Sequence, residues 1–342
     1  MMTRPNVKLT KKQLVLLVII AVGLLVFGIL TAVSAAVAGT QKTQYSAKYW
    51  DADGRYSMVS VFLPENSGLT QDKIKQLEYT LDQALIKEAM EASADNARLY
   101  VSAYSVKTQA SFSSQRAKSQ TCEVYGVGGD FFRFHNYELV SGSYLVEDSL
   151  MDDYVVLDEE AAWKIFGAIE VDGMKLTYNG KEYIVQGVVK AMDEYKTKAG
   201  GAESGTVFMS LSRIESDVDC YEVIFPNPVS EFAEKQIKEA FTSCGYSEDN
   251  IRIVDNSERY GFVNSAKRLL KWTERGMSFK EIKYPYWENS AIAVENIVDL
   301  LTLFRIIFIV PPIAIVIVSV ICFHPIHRFK LLVLKIVDHF RK

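Results

Sequence analysis

The sequence predicts an α+β extracytoplasmic domain of two subdomains, set between two transmembrane helices. In this reading βαβ halves pack together around a mostly β insertion. Three observations predict it. Two long apolar runs carry no charge, and the residues between them alternate irregularly between strand and helix signals. Basic residues collect outside the runs and acidic residues between them.

The first run covers residues 14–38, inside a charge-free interval from 13 to 41. About 20 helical residues cross a bilayer core, so this run is long enough with some tilt. Ala36-Val37-Ala38 before Gly39 looks like a signal-peptidase site. Signal peptides, however, have apolar cores of roughly 7–15 residues, so the run reads as a retained anchor. The second run, residues 306–323, is also uncharged. Arg305 stands at its outer edge, where a long side chain can snorkel to headgroups, and Pro311-Pro312 should kink it.

Charge sets the orientation. Residues 1–41 hold Arg4, Lys8, Lys11 and Lys12 and no acid. Residues 305–342 hold six basic residues against Asp338, leaving 28 basic and 41 acidic residues in 42–304. Basic flanks stay inside, so both chain ends are expected in the cytoplasm and the acidic middle outside. That acidity argues against a nucleic-acid partner. Three cysteines, Cys122, Cys220 and Cys244, lie outside the membrane, which leaves room for one disulfide, Cys220–Cys244, but not for a disulfide framework.

Within the domain, residues 56–63 read as a strand and Thr70 as the cap of a helix reaching about residue 92. Ile74, Leu77, Leu81 and Leu85 give that helix one apolar face. Residues 99–105 alternate as a strand, and the polar stretch 106–120 reads as an exposed loop. Strands are expected at 123–127 and 154–157, and a helix over 159–166 stopped by Gly167. Asn179-Gly180 suits a type I′ hairpin between strands 174–178 and 183–190. A glycine-rich loop at 199–205 leads to a strand at 206–211. Strand 221–225, a helix over 230–244 and a last strand at 251–254 follow. From residue 288 the pattern is helical into the second run, which predicts a stalk projecting from the membrane. The expected segments are therefore a cytoplasmic N-terminus (1–13), a span (14–38), the outer domain (39–287), a stalk (288–305), a second span (306–323) and a basic amphipathic tail (324–342).

No motif makes a case for an enzyme. His324, His327 and His339 fall in the tail, so His135 is the one histidine of the outer domain, and with no partner in the sequence it reads as a surface or packing residue. Glu147, Asp148, Asp152 and Asp153 lack the alternating ligands and central glycine of a calcium loop and read as solvated acids. Gly126-Val127-Gly128-Gly129 is not a dinucleotide fingerprint. Gly200-Gly201 through Gly205 has no lysine and is not a phosphate loop, so both clusters read as turns. No catalytic, cofactor-binding or metal-binding residue is assigned, and no cofactor is expected.

Three pieces carry a resemblance: VYGVGGDFFRFHNYELVSGSYL at 124–145, YVVLDEEAAWKIFG at 154–167 and KLTYNGKEYIVQGVVK at 175–190. Phe131-Phe132, Leu139, Gly142, Ala161-Ala162, Phe166-Gly167 and Gly187-Val188-Val189 stand in the order and at the spacing of one family pattern. The stretch resembles the extracytoplasmic core domain of MacB-type ABC transporter permeases. The resemblance implies a two-subdomain outer domain, stalk helices that carry movement across a bacterial plasma membrane, and a separate cytoplasmic ABC ATPase as partner. A companion permease or a second copy of the chain, and membrane lipid, are the other implied partners. Function on this reading is that of a non-enzymatic subunit of an export or mechanotransmission system. The alternative is an anchored module that binds a ligand or an envelope partner. The sequence departs from the family in that one span follows the domain, where the family has three. The tail is expected either to lie on the inner membrane surface or to correspond to the segment that contacts the ATPase.

Overall fold

A computed structural model describes residues 10–51, 53–90, 98–146, 152–190, 205–271 and 281–322. Glu147, Asp148, Gly200, Gly201 and the tail lie outside them. The chain forms two compact units.

The first unit holds the apolar helices. Helix α1 spans Lys11–Ala38 and opens on a capping box, in which the Thr10 hydroxyl accepts from the Gln13 N–H and the Gln13 side chain accepts from the Thr10 N–H. Helix α8 spans Tyr286–Cys322, and its part beyond residue 295 belongs to this unit. Both are long and apolar enough to cross a membrane. They approach closely at Gly23, where a Cβ would stand 2.5 Å from Pro312 Cγ and 2.8 Å from the Phe308 carbonyl. α8 stays helical through Pro311 and Pro312. Arg305 does not snorkel outward as expected. It is buried, with its guanidinium 5.3 Å from the centre of the Phe27 ring of α1. The remaining helix of the unit, α7 (Phe262–Leu270), contributes residues 265–270.

The second unit is built on one mixed sheet of ten strands. Strands β1 (Tyr56–Phe62), β2 (Val101–Phe112), β9 (Cys220–Pro226) and β10 (Arg252–Asp255) make its first half, in the order β10-β1-β9-β2 with every neighbouring pair antiparallel. Helix α3 (Gln71–Lys87) joins β1 to β2, and α6 (Phe232–Ser243) joins β9 to β10. These are the two expected βαβ halves, interleaved so that β9 lies between β1 and β2. The sequence dictates why both helices cover one face. Val59, Val61, Tyr221, Val223 and Phe225 alternate toward Leu77, Leu81, Ala233, Ile237 and Phe241, all fully buried. Each large side chain so buried stabilises the fold by about 1.5–3 kcal/mol. Thr70 caps α3 as expected.

The insertion continues the same sheet through the β2–β3 hairpin. Strands β3 (Gln120–Gly129), β4 (Glu138–Gly142), β5 (Tyr154–Asp158), β7 (Lys181–Lys190) and β8 (Thr206–Ser210) run in the order β3-β8-β5-β7-β4, with β6 (Lys175–Tyr178) paired to β7. Helix α5 (Glu159–Phe166) packs Ala161, Ala162, Ile165 and Phe166 on one face. Gly167 ends it at φ +69°, and Asn179 and Gly180 take the positive φ values of a type I′ turn, both as expected. The loop expected at 106–120 is in large part strand: β2 runs on to Phe112 and β3 starts at Gln120. Its outer residues are half-exposed, which is why their polarity imitates a loop. The glycine cluster at 126–129 is likewise strand rather than turn, and Gly128 faces the ring of its cross-strand partner Tyr104.

Two further departures concern the ends of elements. The disulfide Cys220–Cys244 does not form, and Cys122, Cys220 and Cys244 are free thiols. Cys220 points to the sheet face away from α6, whereas Cys244 packs among the residues beneath α3 and α6. The helix expected from residue 288 starts at Tyr286. Tyr286, Trp287, Glu288 and Ala291 of α8 are buried within the domain.

Asp158 generates a prediction. It caps α5 by accepting from the Ala161 N–H at 2.7 Å, and its burial pushes its pKa up to about 6 against the hydrogen bonds that favour the charged form. The folded chain therefore binds this proton more tightly than the unfolded chain, whose carboxylate titrates near pH 4. Its contribution to stability is fully present below about pH 4 and is lost as pH rises to about 6. Asp158→Asn keeps a capping oxygen without the titration. Melting of this variant is expected to lose that pH dependence between about pH 4 and about 6.

Candidate functional site

The face of the sheet opposite α3 and α6 carries buried polar groups among aromatic rings. β1 and β9 pair in register so that Ser60 lies opposite Glu222. Both point to this face, and each is almost wholly buried. A carboxylate placed there must be satisfied within the protein. Glu222 accepts from the Ser60 hydroxyl at 3.0 Å, and its other oxygen lies 2.7 Å from His135 Nε2.

His135 is delivered by the short helix α4 (Phe131–His135), which Asn136 ends in the left-handed region at φ 38°. Its ring is clamped between Phe131, with centroids 4.4 Å apart, and Trp287 of α8, 4.3 Å apart. A 3₁₀ turn (Lys42–Tyr45) leads into helix α2 (Ser46–Trp50), whose Ser46 hydroxyl donates to the Phe134 carbonyl and ties α4 down. Of the two readings offered by the sequence, surface or packing, the structure selects packing, and adds a partner 87 residues away that the sequence did not reveal.

The polar chain continues from Ser60. Asn256, the first residue after β10, donates from Nδ2 to Ser60 Oγ at 2.8 Å, while its backbone N–H bonds the Met58 carbonyl. Arg259 reaches Asn256 Oδ1 at 3.4 Å and turns its planar fork to the first turns of α8. Nη1 and Nη2 each lie 2.7 Å from one oxygen of Glu288, and Nε lies 2.7 Å from Glu295. The Arg259 and Glu288 side chains are 3% and 2% exposed, so this is an ion pair inside the protein. Burial works against the Arg259 charge, but the two carboxylates override it and hold the guanidinium firmly protonated. Burial pushes Glu288 upward, and Arg259 opposes the rise.

Around this chain the aromatic wall is continuous. Tyr286 bonds Tyr137 through their hydroxyls, and Tyr125, Phe208 and Trp287 pack beside them. The start of α8 is thereby held by the two Arg259 ion pairs, the tyrosine pair and the aromatic rings packed on Tyr286 and Trp287.

A separate cleft of about 220 Å³ opens beside Tyr104, Gly128, Phe131, Phe132, Tyr154 and Gln186. Asp152 stands in its wall. Asp152 accepts from Ser212 at 2.8 Å and Asp153 from Arg213 at 2.9 Å, so these two acids are paired rather than merely solvated as expected. Among the described residues, no group of three or more His, Cys, Asp or Glu is placed to hold a metal.

The buried polar chain of the domain thus ends on α8, the helix that continues into the second apolar run, as in a membrane-anchored protein. Residues 15–240 match the MacB-like periplasmic core domain, and the chain belongs to that family. It is thus a membrane protein with an extracytoplasmic domain, of the kind found in ABC-type transporter permeases. Among solved structures, the periplasmic region of MacB from Actinobacillus actinomycetemcomitans is 18% identical. The match covers 64% of this chain and 94% of that one, with a TM-score of 0.43. The extracellular domain of the noncanonic ABC-type transporter YknZ from Gram-positive bacteria is 12% identical, covering 58% and 100%, with a TM-score of 0.40. No curated protein matches the sequence. Ser60, His135 and Glu222 fall inside the family match, whereas Asn256, Arg259, Glu288 and Glu295 follow it.

Removing Arg259 leaves the Glu288 carboxylate buried without its cation. Arg259→Met is expected to destabilise the full chain in detergent by about 3–5 kcal/mol, and Arg259→Met with Glu288→Gln to recover part of that loss. Chemical denaturation followed by tryptophan fluorescence measures both.

Proposed function

We propose that the chain is a non-enzymatic membrane subunit of an ABC-type export or mechanotransmission system that works with a separate cytoplasmic ATPase. Residues 1–13 and 324–342 would lie in the cytoplasm, where the ATPase acts, and the domain outside. The observation that carries this reading is the anchoring of α8. Its first turns are gripped by Arg259 and the aromatic wall, and the same helix runs without interruption into the second apolar run. A shift of α8 along its axis cannot leave the Arg259 fork behind, because the buried charges would part. It would therefore reach Ser60, Glu222 and His135 through the polar chain. The system would also include membrane lipid and either a companion permease or a second copy of this chain.

A second reading, an anchored module that captures a ligand or an envelope partner, is favoured by the aromatic-lined cleft beside Tyr104 and Phe132.

Affinity purification from native membranes in mild detergent separates the two. An ABC ATPase is expected to co-purify in stable proportion with the chain. Repeated recovery of the chain with an envelope protein and no ATPase would favour the second reading.

A further inference from the structure

Helix α7 has no role in the polar chain, yet its composition and position are specific. Phe262, Val263, Ala266, Leu269 and Leu270 recur at the spacing of one helical face. Two of these side chains stand well out of the protein: Val263 is 62% exposed and Leu270 88%, while Ala266 and Leu269 are half-buried. The opposite face carries buried Ser265 and half-buried Arg268. Arg268 Nε and Nη2 meet the two oxygens of Asp299 on α8 at 3.1 and 2.8 Å, and Asp299 is itself buried. The helix is therefore held by its polar side and presents its apolar side outward.

Its depth follows from the register of α1 against α8. Gly23 meets Pro312, and Phe27 lies under Arg305, so the two helices run antiparallel. Counting back from Pro312 to Asp299 covers about 20 Å of helix at about 1.5 Å per residue. That distance brings Asp299 level with the last turn of the apolar run on α1. Arg268 thus fastens α7 where hydrocarbon gives way to headgroups. Leu300, Leu303, Phe304 and Ile307 on α8 are exposed apolar residues close to that level, as the lipid-facing side of a span requires. Lys267, also exposed, flanks the stripe with a positive charge suited to lipid phosphate. Two strongly exposed side chains are too few for a stable dimer contact.

We propose that α7 is an interfacial helix seated in the outer leaflet, with its apolar stripe at the boundary of the acyl chains and Lys267 at the phosphates. The proposal goes beyond the coupling role and rests only on α1 and α8 spanning the membrane. The test places the photocrosslinker p-benzoylphenylalanine at Val263 or Leu270 of the full chain, in nanodiscs of phosphatidylethanolamine and phosphatidylglycerol. Ile317 in the second apolar run serves as a lipid control and Ile86 on α3 as an aqueous one. After irradiation, intact-mass measurement is expected to show lipid adducts at 263, 270 and 317 and none at 86. Adducts at 317 without adducts at 263 and 270 would overturn the proposal, as would chain-to-chain crosslinks there in place of lipid. Loss of lipid labelling at 317 as well would overturn the span assignment and this proposal with it.

Discussion

The guanidinium of Arg259 constrains more of the domain than any other group. A cation so fully removed from water is tolerated only because Glu288 and Glu295 meet it at hydrogen-bond distance. That requirement fixes where the segment after β10 must run and where α8 must begin. Asn256 then satisfies Arg259 on one side and Ser60 on the other, and Ser60 and His135 share the oxygens of Glu222. Replacing any one of these groups by an apolar side chain strands its neighbour, since each bond in the chain satisfies groups already cut off from solvent. The aromatic wall serves the same end, because Tyr286 and Trp287 exclude water from the start of α8.

Two halves with different jobs share one sheet. The first half buries both faces, one beneath α3 and α6 and the other beneath α4 and the start of α8. The insertion adds strands past β3 and keeps its own helix, α5, on one face. The polar chain crosses this boundary only at His135, which comes from the insertion and bonds a strand of the first half.

Much of this organisation was legible locally. The Thr70 cap, the stop at Gly167 and the Asn179-Gly180 turn depend on residues within a few positions of each other, and so did the two apolar runs. What escaped depends on distant partners. His135 looked solitary because Glu222 meets it only after β1, β9 and β2 are assembled. Residues 106–112 looked like loop because half-exposed Lys107 and Thr108 and exposed Gln109 carry the polarity of a strand edge facing water, while Phe112 is fully buried. The burial of Glu288 at the start of the expected stalk escaped because its charge gives no hint that Arg259 pairs with it. The family pattern could not reveal that pair either, since both residues follow the matched segment.

The place of β1 has a consequence for biogenesis. It is the first strand made, yet it lies between β10 and β9, the last two to emerge. Until almost the whole domain has crossed the membrane, β1 has neither edge covered. The chain must therefore hold an apolar strand open through most of its export, with closure delayed by the length of polypeptide still to arrive. Envelope chaperones that shield unpaired strands would have their longest window of access at Val59 and Val61, and translocation speed becomes a determinant of yield.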